Sequence, residues 1–175
     1  MKYKIGDIVL FHRKGGFIIS LIRKFTQSKY SHAALIIQPS SYDPDKVCII
    51  DSRGGPHLEK WQKGVTKRYI QLSPDSHHVY RHTRIDKALG HKIKKKALTY
   101  LGAGYDYWGV LYRALLTITF CRRRKNRWND PDKPYCSELI ANAYSPTLTF
   151  NTEIPVANIS PADIANSKHT FRVAP

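Results

Sequence analysis

The feature that most constrains this chain is a change of periodicity about halfway along it. The first half is built of short apolar runs with strand-like alternation and β-branched residues, and the second half of longer runs at helical spacing. In the first half, "KIGDIVLFH" reads as a strand preceded by a turn at Gly6-Asp7. "SHAALIIQ" and "KVCIIDSR" are joined by the turn-rich "PSSYDPD", the pattern of an antiparallel pair, and "KRYIQLS" and "HHVYRHTR" read as two further strands. One short amphipathic helix is expected among them, in "GGFIISLIRKFTQ", where Ile18, Ile19, Leu21, Ile22 and Phe25 share a side. In the second half, "IDKALGHKIKKKALTYLG" predicts a basic amphipathic helix with Ala88, Leu89, Ile93, Ala97, Leu98 and Leu101 facing inward. "YDYWGVLYRALLTITF" predicts a more buried helix, and "CRRRKNRWNDPDK" a charged loop. "PYCSELIANAY" predicts a third helix, "ISPADIANS" a short helical turn started by proline, and "TFRVA" an edge strand. Segregated strands and helices, without a repeat or a long linker, predict an α+β fold in one domain over residues 1–175.

Composition narrows the class. At 42% hydrophobic with 11% aromatic residues, the chain has enough apolar material for a packed core. No run approaches the ~18 apolar residues of a membrane span. The opening "MKYKIGDIVLF" lacks the uninterrupted apolar run and small-residue cleavage site of a signal peptide. The expectation is a soluble protein made in the cytoplasm. Three cysteines, none in a CxxC pair, argue against a disulfide framework and against a cysteine-built zinc site. His77, His78 and His82 cluster without a carboxylate or thiol at ligand spacing, so neither a metal nor another cofactor is expected. A net charge of +16 favours anionic partners, or is simply a strongly solvated surface; no nucleic-acid-binding motif accompanies it.

Within this frame one cysteine is distinctive. In "PYCSELIANAY", Pro134 suits the first helical turn and Asp130 or Asp132 is placed to cap it, so Cys136 opens the helix, where the positive end of the dipole favours a thiolate. Cys136, Leu139, Ile140 and Ala143 form an apolar side; Glu138, Asn142 and Ser145 are expected on the polar side. His32 begins an apolar strand and Asp51 ends another, each interrupting an apolar pattern. If the two strands pair and the helix lies across them, thiol, imidazole and carboxylate converge as nucleophile, base and orienter. Each also has a structural reading: a packed cysteine, a satisfied strand histidine, and an aspartate capping the turn "DSRGG". Cys48 reads as core, and Cys121, after the buried helix, as either core or surface.

The combination "GDIVLF … SHAALII … VCIID … LGAGYDYWG … YCSELIANAY … ISPADIANS" resembles the circularly permuted branch of the NlpC-type cysteine peptidases of the papain-like superfamily, with the YiiX-like proteins nearest. The resemblance runs from Ile5 to about Ser167. It implies a papain-like fold with Cys136 as nucleophile, His32 as base and Asp51 as the polar third residue. That third position is more often Glu in those relatives, so the shorter Asp51 is expected to need a small backbone shift or a water to reach the imidazole. The implied chemistry is acyl transfer through a thioester. The expected substrate is an amide in a peptide or a cell-wall peptide; the alternatives are lipid-directed acyl hydrolysis or transfer, and an idle basic module for membrane or nucleic acid. Arg122, Arg123, Arg124 and Trp128, just before the nucleophile helix, are expected to hold an acidic substrate group or an anionic membrane surface.

Overall fold

The computed structural model describes residues 2–12, 29–55, 58–109, 112, 116, 119, 130–150 and 153–173. The helix expected around 16–27, Cys121, and the segment with Arg122, Arg123, Arg124 and Trp128 lie outside them.

The fold is α+β. Six antiparallel strands, β1 (Ile8–Phe11), β2 (His32–Pro39), β3 (Lys46–Arg53), β4 (Gly64–Gln71), β5 (His77–His82) and β6 (Thr170–Arg172), form one sheet in the order β4-β3-β2-β1-β5-β6. The helices described from end to end are α1 (Lys87–Leu98), α2 (Cys136–Tyr144) and the short α3 (Pro161–Ala165); of the helix expected at 105–120, residues 107–109, 112 and 116 are helical and much of the rest lies outside the described residues. All five runs read as strands in the first half are strands, and "TFRVA" supplies the edge strand β6.

Local chemistry explains the register. In the β2–β3 link, Ser40 Oγ accepts from the backbone N–H groups of Tyr42 and Asp43 at 3.2 Å, and Asp43 Oδ1 accepts from Asp45 N at 2.9 Å. These side chains fold the link into successive turns, so β3 returns alongside β2. The Gly6-Asp7 pair does more than turn the chain. Gly6 takes φ +94°, and the buried Asp7 receives a two-pronged grip from Arg81 on β5, with Nε and Nη2 each 2.7 Å from a carboxylate oxygen. β1 is thereby fixed to β5, and the hydroxyl of Tyr144 at the end of α2 donates to Gly6 O.

Side-chain alternation divides the sheet residues into two apolar sets. Ile8, Leu10, Ala33, Leu35, Ile37, Cys48, Ile50 and Val65 pack with Ile93 and Ala97 of α1 and with Leu139, Ile140 and Ala143 of α2. Val9, Ala34, Ile36, Val47, Ile49 and Val79 form a second cluster with Tyr3 and Leu72. Each fully buried Leu or Ile contributes roughly 1.5–3 kcal/mol, so these clusters set the architecture. In α1, capped by Asp86 accepting from Leu89 N at 2.7 Å, the inward face is Gly90, Ile93 and Ala97. Ala88 and Leu101, expected inward, are exposed, because the buried stripe runs through positions 90, 93 and 97 and Leu101 lies beyond the helix end. Gly90 is required there: an added Cβ would lie 2.4 Å from the carbonyl oxygen of Ile5.

Candidate active site

Three elements meet at their ends. Cys136 is the first residue of α2, His32 the first of β2, and Asp51 lies two residues before the end of β3. Leu139, Ile140 and Ala143 bind α2 to the sheet through the Leu35 and Ile50 cluster. The N-terminal end is fastened separately: Ser137 Oγ donates to Ile159 O at 2.7 Å and the Tyr135 hydroxyl donates to Ala157 O. The short helix after that segment is held by a capping box between Ser160 and Asp163. Upstream, the buried Asp106 accepts from Gly109 N at 2.8 Å and from Asp130 N at 2.9 Å, which fixes where the chain re-enters toward Cys136.

The start of α2 differs from its sequence-based expectation in two ways. Tyr135 is the N-cap, so Pro134 precedes the helix, and the Tyr135 side chain makes no capping hydrogen bond. Asp130 is instead paired with Lys133 at 2.7 Å, and its Oδ1 accepts from Asp132 N at 3.1 Å. The expected polar side holds in part: Asn142 and Ser145 are half-buried, but Glu138 is buried, as is its neighbour Ser137, because α2 is packed by the sheet on one flank and by α1 and the 156–160 segment on others.

His32 is the centre of the cluster. Its Nε2 lies 2.9 Å from Asp51 Oδ2, and its ring also makes a side-chain hydrogen bond with the Cys136 thiol. With Nε2 engaged by Asp51, Nδ1 is the nitrogen left for sulfur. Asp51 reaches the imidazole directly, so the shorter carboxylate needs no bridging water. The β2–β3 register explains why: Leu35 pairs with Ile50, and the same register continued to the strand ends sets His32, at the start of β2, diagonally from Asp51 near the end of β3. The Phe11 ring packs against His32 with centroids 5.1 Å apart, which limits rotation of the imidazole.

The electrostatics follow from burial and partners. Desolvation pulls His32 downward, but the Cys136 thiolate charge, hydrogen bonds to Asp51 and Cys136, and the Asp51 charge together push it up to about 9. Asp51 is fully buried, and desolvation would raise it. His32 and then Arg68 outweigh that and hold its carboxyl below the usual range. Arg68 Nη2 donates to Asp51 Oδ2 at 2.7 Å, and Arg53 Nε stands 3.7 Å from Oδ1.

These two arginines escaped the sequence reading. Arg53 had a signal, since it follows Asp51 by two residues and so shares its face. Arg68 had none, because only the β3–β4 register, with Ile49 opposite Arg68, brings it diagonally to Asp51. Cys48 is buried among apolar side chains. The histidines of β5 are engaged apart from one another. His77 Nδ1 accepts from Ser73 N, His78 Nδ1 bonds the Tyr30 hydroxyl at 2.8 Å, and His82 Nδ1 accepts from Arg84 N. Among the described residues no three potential metal ligands gather.

No protein-family model matches the chain, and neither does any curated protein.

Proposed function

We propose that this chain is a cysteine-dependent acyl hydrolase of the permuted NlpC-type, papain-like kind, acting through a thioester on an amide of a peptide or cell-wall peptide. One observation carries the reading: a single imidazole, raised to about 9, bridges a buried carboxylate and a thiol at a helix start. In this mechanism His32 holds the proton of Cys136 at neutral pH, leaving an imidazolium–thiolate pair. The sulfur attacks the carbonyl carbon, the C–S bond forms, and the carbonyl oxygen becomes an oxyanion facing the backbone N–H groups at the start of α2. His32 gives its proton to the leaving nitrogen as the C–N bond breaks. A water then loses a proton to His32 and displaces sulfur, releasing the acid and restoring the pair. Asp51 keeps the ring oriented and balances its charge throughout.

A second reading has its own support. Trp61, Tyr107 and Trp108 are 75%, 52% and 68% exposed on a chain of net charge +16. Exposed aromatics with basic residues suit the polar boundary of an anionic membrane, and the same thiol chemistry would then cleave or transfer a lipid acyl group.

The test is labelling with an acyl-type cysteine probe, read by mass spectrometry. The proposal expects modification confined to Cys136 and abolished in Cys136→Ala. Equal labelling of Cys48 and Cys121 would reject both enzymatic readings in favour of an idle basic module. Turnover of peptidoglycan fragments against phospholipid vesicles separates the two enzymes.

A further inference from the structure

We propose that Arg53 and Arg68 form an anion-binding subsite beside the thiol, which receives a carboxylate or phosphate group of the substrate. The inference rests on the acyl-transfer reading above and narrows its substrate to one carrying a negative charge close to the scissile carbonyl.

The charges around Asp51 do not balance. Among the described residues, Asp51 is the one carboxylate that pairs with either arginine, and it also serves His32. Its Oδ2 accepts from both His32 and Arg68, at 2.9 and 2.7 Å. Its Oδ1 faces Arg53 Nε at 3.7 Å, an ion pair outside hydrogen-bonding distance, and accepts no hydrogen bond. With His32 protonated, three cations face one carboxylate, and the Cys136 thiolate still leaves an excess of one positive charge.

The hydrogen bonding is as unbalanced as the charge. A guanidinium has five N–H donors, and a buried donor without an acceptor is costly. Arg53 Nε and Arg68 Nε are both buried without a hydrogen-bond acceptor, and Arg53 is otherwise held by its 3.7 Å ion pair with Asp51 and a long 3.5 Å contact to Thr66 Oγ1. Desolvation lowers Arg53; the Asp51 charge opposes this, and Arg68 repulsion adds to the lowering. Such an arrangement is relieved by a second anion. The two side chains are 22% and 30% exposed, so neither is sealed from solvent although both Nε atoms are buried. Their planar forks match the oxygens of a carboxylate or phosphate. Arg53 leaves the same strand face as Asp51 and Arg68 touches Asp51 itself, so an anion held there lies next to the imidazole.

A pair of alkylating reagents of nearly equal size, anionic iodoacetate and neutral iodoacetamide, tests this without knowledge of the substrate. The ratio of their rates at Cys136, relative to the same ratio for free cysteine, is expected to favour iodoacetate by about tenfold. Inorganic phosphate is expected to slow the iodoacetate reaction in the unaltered protein. Arg53→Gln should bring the ratio back toward that of free cysteine, Arg53→Lys should restore part of it, and Lys95→Gln, which removes one charge from the exposed side of α1, should leave it in place. Protection by a short-chain phosphatidylglycerol would assign the group to a lipid phosphate, and protection by an N-acetyl dipeptide to a peptide carboxylate. A free-cysteine ratio without phosphate protection, or an equal fall in Lys95→Gln, overturns the subsite while leaving acyl transfer standing. A Cys136 that neither reagent modifies faster than Cys48 overturns both.

Discussion

His32 is subject to opposing pulls, and their sign fixes the pH behaviour of the site. Burial disfavours its charge, but Cys136 and Asp51 favour it more, so its folded value of about 9 exceeds the ordinary 6.5. A raised value means that protonation favours the folded state. That contribution is complete below pH 6.5 and is lost as pH rises through about 9. The stability advantage of the native protein over His32→Gln should therefore shrink across this window, as read by urea denaturation; parallel curves would contradict the assignment. The same charges act on sulfur in return. Alkylation of Cys136 followed against pH is expected to titrate well below the ~8.5 of a free cysteine, whereas Cys48, whose thiol burial pushes up, should stay unreactive. Asp51→Asn removes the carboxylate that faces His32, Arg68 and Arg53, and should cost about 3–5 kcal/mol of stability, because cations are left without a counter-charge. A loss under 1 kcal/mol in chemical denaturation would mean that the cluster is solvated.

At the scale of elements, α1 and α2 hold the site from behind. Gly90 illustrates how tightly. In an exposed helix Gly→Ala is stabilising by about 1 kcal/mol. At Gly90 the new methyl would meet Ile5 O at 2.4 Å, so the sign reverses. Gly90→Ala is expected to destabilise by about 1–3 kcal/mol through overpacking, seen as a lowered Tm in calorimetry; a raised Tm would show that α1 has room to move away from the strand β1 entry. The same packing logic explains why the expected polar side of α2 holds only in part. Helical periodicity marks polar and apolar stripes, but a helix enclosed by a sheet, a second helix and a loop buries residues of both, as Ser137 and Glu138 show.

For the whole molecule, the net charge of +16 acts on every anionic partner, whatever the site selects. Exposed charges are screened over ~8 Å at physiological ionic strength. Cosedimentation should therefore show binding to phosphatidylglycerol vesicles that fades as salt is raised, and little binding to neutral phosphatidylcholine. Salt-resistant binding to both would point instead to insertion of exposed aromatics such as Trp61 and Trp108. No helix among the described residues is long and apolar enough to cross a membrane.

What the sequence by itself determined is what depends on neighbours along the chain. Alternation marked β1 to β5, the turn chemistry of "PSSYDPD" paired β2 with β3, and the proline of "ISPADIANS" marked the start of α3. The same local signals singled out Cys136, His32 and Asp51, because a polar group that breaks an apolar run at an element end is visible in one dimension. Tertiary structure decided the rest. The direct 2.9 Å contact between His32 and Asp51 depends on the exact β2–β3 register, which the turn residues alone do not set. The position of Arg68 depends on the β3–β4 register, and the grip of Arg81 on Asp7 joins residues 74 apart in sequence. Periodicity fixes which way a side chain leaves its own strand or helix; which neighbour it meets is set by long-range packing, and the charge balance around Asp51 is a product of that packing alone.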